Sequence, residues 1–162
     1  MTRTIKTSFR RYRYRTASTL LLICGVSAAV PVLPAAISID FAGTGTAMGA
    51  TETAGVVAKS NWNVASGASS ATPLKLKDDT GALTNTTVSW KADNGWATPV
   101  TDQAGNYRMM KGYLDNGSGN PTTVTLSGLS SGKYDIYVYT DGDNATYSHS
   151  GVYQLSGSGI TT

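Results

Sequence analysis

The chain is poor in the side chains that carry out most enzyme chemistry. Its 162 residues hold one cysteine, one histidine and, at Glu52, one glutamate. Cys24 falls inside an apolar run near the N-terminus, so the residues beyond it offer no thiol, no disulfide and no cysteine-ligated metal. A single histidine, His149, supplies too few nitrogen ligands for a zinc site, and the sequence has no His-Glu-x-x-His. A glycosidase needs two carboxyl groups at a set separation, one with a raised pKa. Here the aspartates sit mostly in turns, where Asp commonly caps its own backbone. Long apolar runs are missing too. The run at 17–30 is shorter than the roughly 20 residues of a membrane helix. Past residue 36 no stretch carries the i, i+3, i+4, i+7 apolar stripe of an amphipathic helix.

What stands at the front is a leader. Six arginines and lysines and no acid precede the apolar run "ASTLLLICGVSAAV", and small residues follow it. A basic start, a short apolar stretch and a small-residue exit predict a secretory signal over 1–36, cut between 28 and 38. Lipid attachment at Cys24 is disfavoured by Ile23 before it, where a small residue is expected. Removing the leader reverses the charge. Six of the 13 Lys and Arg go with it; the seven that remain face all ten acids, and the net charge becomes −3. The basic balance of the whole chain therefore belongs to the leader and gives no support to nucleic-acid binding. These features predict a secreted or periplasmic protein that meets the membrane only transiently, through its signal peptide. Residues 37–162 suit one domain with one core.

The remaining sequence is rich in Gly, Thr, Ser and Asn and reads as short strands and turns. "ISIDFAGTGT" alternates, with Ile37, Ile39 and Phe41 on one face and Ser38 and Asp40 on the other. "AGVVAKSNWN" is ambiguous between loop and helical turn. In "TPLKLKDDTGALTNTTVSWKA", Leu74 and Leu76 alternate with lysines, Asp79-Thr80-Gly81 turns the chain, and Thr86, Val88 and Trp90 alternate on the return. Residues 92–107 read as loop, with Gly95, Pro99 and Gly105 as breakers. A short strand is predicted around Met109 to Leu114. "TTVTLSGLSSGKYDIYVYTD" predicts two strands, the second over Tyr134–Tyr139, and "SGVYQLSGS" one more. The pattern predicts an all-β fold: an antiparallel β-sandwich that ends short of a full set of strands, preceded by a helical signal peptide.

Two motifs invite chemical readings. Gly128-Leu129-Ser130-Ser131-Gly132 matches the G-x-S-x-G of serine hydrolases. That nucleophile needs a helix directly behind it, and strand-forming residues follow Ser130 instead. A hydrolase using Ser130 with His149 is thus a remote alternative to a glycine turn. Asp141, Asp143 and Asn144 offer three oxygen side chains within four residues, a candidate for a structural calcium to which Asp40, Asp78 and Asp79 could add. The spacing does not fit an EF-hand, and no other cofactor is expected.

Aromatic residues give the remaining signal. "SNWNV" and "DNGWAT" set Trp62 and Trp96 among amides, so that an indole could stack on a sugar while Asn61, Asn63 and Asn94 bond its hydroxyls. The competing fate of an indole is the core, the assignment expected for Trp90.

Taken together, "TAGVVAKSNWN", "LKDDTGALTNTTVSW", "NYRMMKGYLDNGSG" and "TVTLSGLSSGKYDIYVYTDGDN" resemble a module of secreted bacterial surface proteins, similar to the galactose-binding-domain-like jelly rolls. Such modules occur beside carbohydrate-active domains or in proteins with PEP-CTERM-type sorting signals. The resemblance covers roughly residues 37–155 and implies a jelly roll without catalysis. It also implies polysaccharide or cell-surface glycan as partner. A structural or adhesive domain with no small ligand is the alternative expectation.

Overall fold

The computed structural model describes residues 35–117, 119–140 and 151–158. They belong to one unit, Val32–Thr162. The expected signal peptide over 1–36 falls almost wholly outside them. The described residues are mostly strand and turn, as the all-β reading predicts.

Among the described residues, seven strands and one helical turn follow in chain order. They are β1 (Ile39–Gly43), β2 (Asn63–Ser66), β3 (Leu74–Lys77), β4 (Leu83–Lys91), β5 (Asn94–Ala97), α1 (Asn106–Met109), β6 (Gly112–Asp115) and β7 (Thr123–Ser127). They form three sheets: β1–β2, β3–β4–β7 and β5–β6. Pairing is antiparallel except between β1 and β2, which run parallel. That parallel pair departs from the all-antiparallel expectation. Nineteen residues separate β1 from β2, enough chain to return to the same end of the sheet.

The β3–β4 hairpin forms as its alternation predicts. Leu74 pairs with Val88, and the turn at 78–82 closes through Asp78, whose carboxylate accepts from the Thr80 and Ala82 N–H groups. Leu76 and Val88 are wholly buried, and Trp90 nearly so. Each such side chain contributes about 1.5–3 kcal/mol by leaving water. With Ala65 of β2 they form the core, and Ile37, Ile39, Phe41, Leu74 and Leu114 pack against it. Phe41 meets Trp90 edge-on, ring centres 5.8 Å apart, and the Trp90 indole N–H donates to the Gly67 carbonyl at 3.1 Å. The indole therefore buries its apolar body without leaving its one donor unpaired.

β1 corrects the expectation of one buried and one polar face. Its second face is the more deeply buried, through Asp40 and Ala42. The cause lies at its C-terminal end, where β5 and β6 lie against it backbone to backbone. A Cβ on Gly112 would fall 2.1 Å from the Ala42 carbonyl oxygen, and one on Gly43 would fall 2.3 Å from that of Trp96. Gly43 also takes φ +51°, a conformation that costs glycine little.

Three further expectations are corrected. Residues 94–97 are strand rather than loop, because Gly95 lets β1 approach where a side chain would not: its Cβ position is 3.1 Å from the Gly43 Cα. Met109 closes α1 instead of opening a strand. Tyr134–Tyr139 and residues 151–158 pair with no strand among the described residues. Tyr134, Ile136 and Val138 are each more than half exposed, and so are Val152, Tyr153 and Leu155. β-propensity reflects packing on a neighbouring strand and an opposite face, and no described strand lies beside these residues. Their firmest anchor is at Tyr139. Its hydroxyl accepts from the Val56 N–H at 2.9 Å, and its ring tilts against Trp62 at 6.4 Å.

Candidate functional site

The glycine-mediated packing of β5–β6 on β1 decides which way the hairpin's side chains point. Gly95, Ala97, Gly112 and Leu114 alternate onto the face toward β1. Asn94 and Trp96 on β5 then share the opposite face with their partners Asp115 and Tyr113 on β6. Trp96 is 49% exposed, while Asn94, Tyr113 and Asp115 are half-buried. Trp96, Ala97, Tyr113 and Asp115 line an open depression of about 410 Å³. Its size falls in the range of small-ligand clefts, and its lining combines two aromatic rings with the Asp115 carboxylate.

The connection between β5 and β6 is long and firmly tied. The Thr98 N–H donates to the Lys111 carbonyl at 2.7 Å, and its hydroxyl donates to the Met110 carbonyl at 3.0 Å. The Lys111 ammonium reaches back to the carbonyls of Thr98 and Val100. α1 contributes Arg108, which pairs with Glu52 and, at 2.9 Å, with Asp102. Asp102 also accepts from the Thr46 hydroxyl; that bond first, and Arg108 second, hold its carboxyl below the usual range. The 46–55 segment is thereby fastened to the hairpin, so the aromatic face sits on a supported base rather than on a free loop.

The five residues expected to meet a sugar part into two groups. Trp96 and Asn94 share the face just described. Asn61, Trp62 and Asn63 occupy another region and are engaged within the fold. Asn63 is buried, and its amide bonds Ser38 and Lys77, joining the start of β1 to β3. Asn61 adopts φ 57° and donates to the Asp79 carbonyl at 2.9 Å. The Trp62 indole N–H donates to the Lys59 carbonyl at 2.8 Å. Tyr113 and Asp115 escape sequence reasoning. Their period-2 spacing was visible, but nothing local shows that they lie opposite Trp96 and Asn94.

No protein family, curated protein or solved structure matches the chain.

The expected calcium ligands Asp141, Asp143 and Asn144 lie outside the described residues, as does His149. Among the described residues, no three His, Cys, Asp or Glu side chains gather in a way that could hold a metal. The three aspartates considered as further ligands all have protein partners. Asp40 is buried and accepts from the Met48 N–H at 2.8 Å. Burial pushes its carboxyl above the usual range, against the pull of that bond, and nearby Glu52 adds to the rise. Asp78 is lowered mainly by the Thr80 hydroxyl, and Asp79 mainly by the Lys59 ammonium. Behind Ser130 there is turn and unpaired chain rather than helix, and the Tyr134 hydroxyl donates to the Ser130 carbonyl. No helix among the described residues is long and apolar enough to cross a membrane.

Proposed function

We propose that this chain is an exported, non-catalytic β-sandwich module of the galactose-binding-like type, and that it binds carbohydrate on the outer face of β5–β6. One observation carries the reading: Trp96 stands half exposed on a strand whose other face is locked against β1. An indole left in water costs the fold the apolar burial it could have had, and here Tyr113, Asp115 and Asn94 surround it in one plane. A pyranose presents an apolar C–H face and a ring of hydroxyls, and this arrangement offers an aromatic surface beside carboxylate and amide. The basic leader over 1–36 supports delivery outside the cytoplasm, where such ligands are found.

The test is a glycan array probed with the full chain, followed by titration of each hit. Trp96→Ala is expected to lower affinity at least about tenfold, as loss of a stacked aromatic does at a binding hot spot. Trp62→Ala is expected to leave binding within about twofold, since Trp62 lies outside the face. An array silent across neutral and charged glycans overturns the reading.

A second reading rests on a different observation. Val124 and Leu126 of β7 are 46% and 41% exposed, and Ile136, Val138 and Val152 are more so. Apolar surface of this kind marks contact with other protein. It favours a structural or adhesive domain with no small ligand, the outcome an unresponsive array would support.

A further inference from the structure

The tripeptide Asp-Asn-Gly occurs twice, at 93–95 and at 115–117, and the fold brings the two copies together. Asn94 on β5 pairs with Asp115 on β6, and the Asp93 N–H donates to the Asp115 carbonyl at 3.0 Å. The first copy lies within the ladder. Asn94 and Gly95 are half-buried strand residues, and β1 backs Gly95: a Cβ there would lie 3.1 Å from the Gly43 Cα. The second copy runs out of the ladder. β6 ends at Asp115, and Asn116 and Gly117 are exposed in the turn that follows. Across that turn the Gly119 N–H donates to the Asn116 carbonyl at 2.9 Å. Among the described residues, nothing bonds the Asn116 side-chain amide or the Gly117 N–H.

We infer that Asn116 is a site of spontaneous deamidation, and that the ladder shields Asn94 from the same reaction. When glycine follows asparagine, no Cβ crowds the backbone nitrogen that must reach the asparagine side chain. The Gly117 nitrogen, losing its proton to base, attacks Cγ of Asn116. The new C–N bond closes a five-membered imide; the Cγ–Nδ2 bond breaks and ammonia leaves. Water then opens the ring at either carbonyl, giving an aspartyl or an isoaspartyl residue. The attack requires the Asn116 backbone to rotate until the nitrogen and Cγ meet. In the turn this disturbs an exposed hydrogen bond. At Asn94 the same rotation requires β5 to part from β6 and from β1, an opening drawn from the stability of the fold. The product adds a negative charge next to Asp115, which lines the depression with Trp96, and the isoaspartyl form lengthens the backbone there by a methylene. This chemistry is independent of the carbohydrate reading.

The experiment incubates the full chain in mildly alkaline buffer, folded and in concentrated urea, and follows the amide-to-acid mass gain by tryptic mapping. Cleavage after Lys91, Arg108, Lys111 and Lys133 puts Asn94 and Asn116 on different peptides, and fragmentation of each locates the change. In the folded chain Asn116 is expected to react at least about tenfold faster than Asn94. In urea the two rates should come within about threefold of each other, since Asp and Gly flank both residues. Gly117→Ala should slow the reaction at 116 at least about tenfold. The Asn94 rate reports on folding in that variant, because a chain that no longer folds opens β5 and speeds the loss there. The slowing is then read in urea against the native sequence, where folding plays no part. Equal rates in the folded chain, faster loss at Asn94, a ratio that persists in urea, or a rate at 116 unmoved by Gly117→Ala each overturn the inference.

Discussion

Val88 on β4 and Leu126 on β7 sit directly opposite each other and face the same way, yet Val88 is wholly buried and Leu126 is 41% exposed. The same holds one step along, where Trp90 is 8% exposed and its partner Val124 46%. The ladder is continuous across both pairs; what changes is the cover. Ala65 and Phe41 pack with the apolar row of β4, and Leu76 flanks it on β3, whereas Val124 and Leu126 of β7 are left largely exposed. Hydrogen bonds and alternation suffice to place a strand in a sheet, but only an opposing layer turns its apolar row into core.

The largest expected effect lies where cover is tightest. Gly112→Ala would force a methyl group against the Ala42 carbonyl and must part β6 from β1. A loss of about 3 kcal/mol or more is expected in chemical denaturation, together with loss of any binding on the Trp96 face. A stable Gly112→Ala protein would show that the backbone contact with β1 does not set the hairpin. Next comes a direct contrast across the sheet. Leu76→Ala should cost about 2–4 kcal/mol, and Leu126→Ala less than about 1 kcal/mol. Equal losses would mean that β7 is covered in solution.

The smallest effect concerns charge, and it divides the same two environments. Asp78, Asp79 and Asp102 are lowered, so the stability they give is present above the ordinary carboxylate range and is lost as pH falls through their folded values. Asp40 is raised, so its contribution has the opposite sign: it is favourable when protonated and is lost as pH rises through its folded value. Melting temperature should therefore drop below about pH 4 in the native chain. Asp40→Asn should remove the decline above that range, because the amide oxygen can still accept from Met48 without carrying a buried charge. A variant that declines with rising pH as steeply as the native chain would show that Asp40 is not the group responsible.

How much of this was legible in the sequence follows the same division. The β3–β4 hairpin was readable because its lysines and leucines alternate around a glycine turn, and Trp90 could be placed in the core from the same period. The site was half readable. Trp96 and Asn94 stood out as an indole among polar loop residues, but Gly95 disguised their strand, and its reason is contact with β1 about fifty residues earlier. Their partners Tyr113 and Asp115 could be assigned only once that pairing was known. Tyr134–Tyr139 misled in the opposite sense. Its pattern is the strongest strand signal in the chain, but a pattern supplies no partner, and this segment has none among the described strands.

The central claim is that ligand meets Trp96 and neither of the other two tryptophans. It is tested most directly by the three indole N–H resonances in a nitrogen–proton NMR spectrum recorded during titration with a glycan from the array. The Trp90 and Trp62 N–H groups are held by the carbonyls of Gly67 and Lys59, so their peaks should stay in place while the Trp96 peak moves. A saturable shift of the Trp62 or Trp90 peak with Trp96 unmoved would contradict the account.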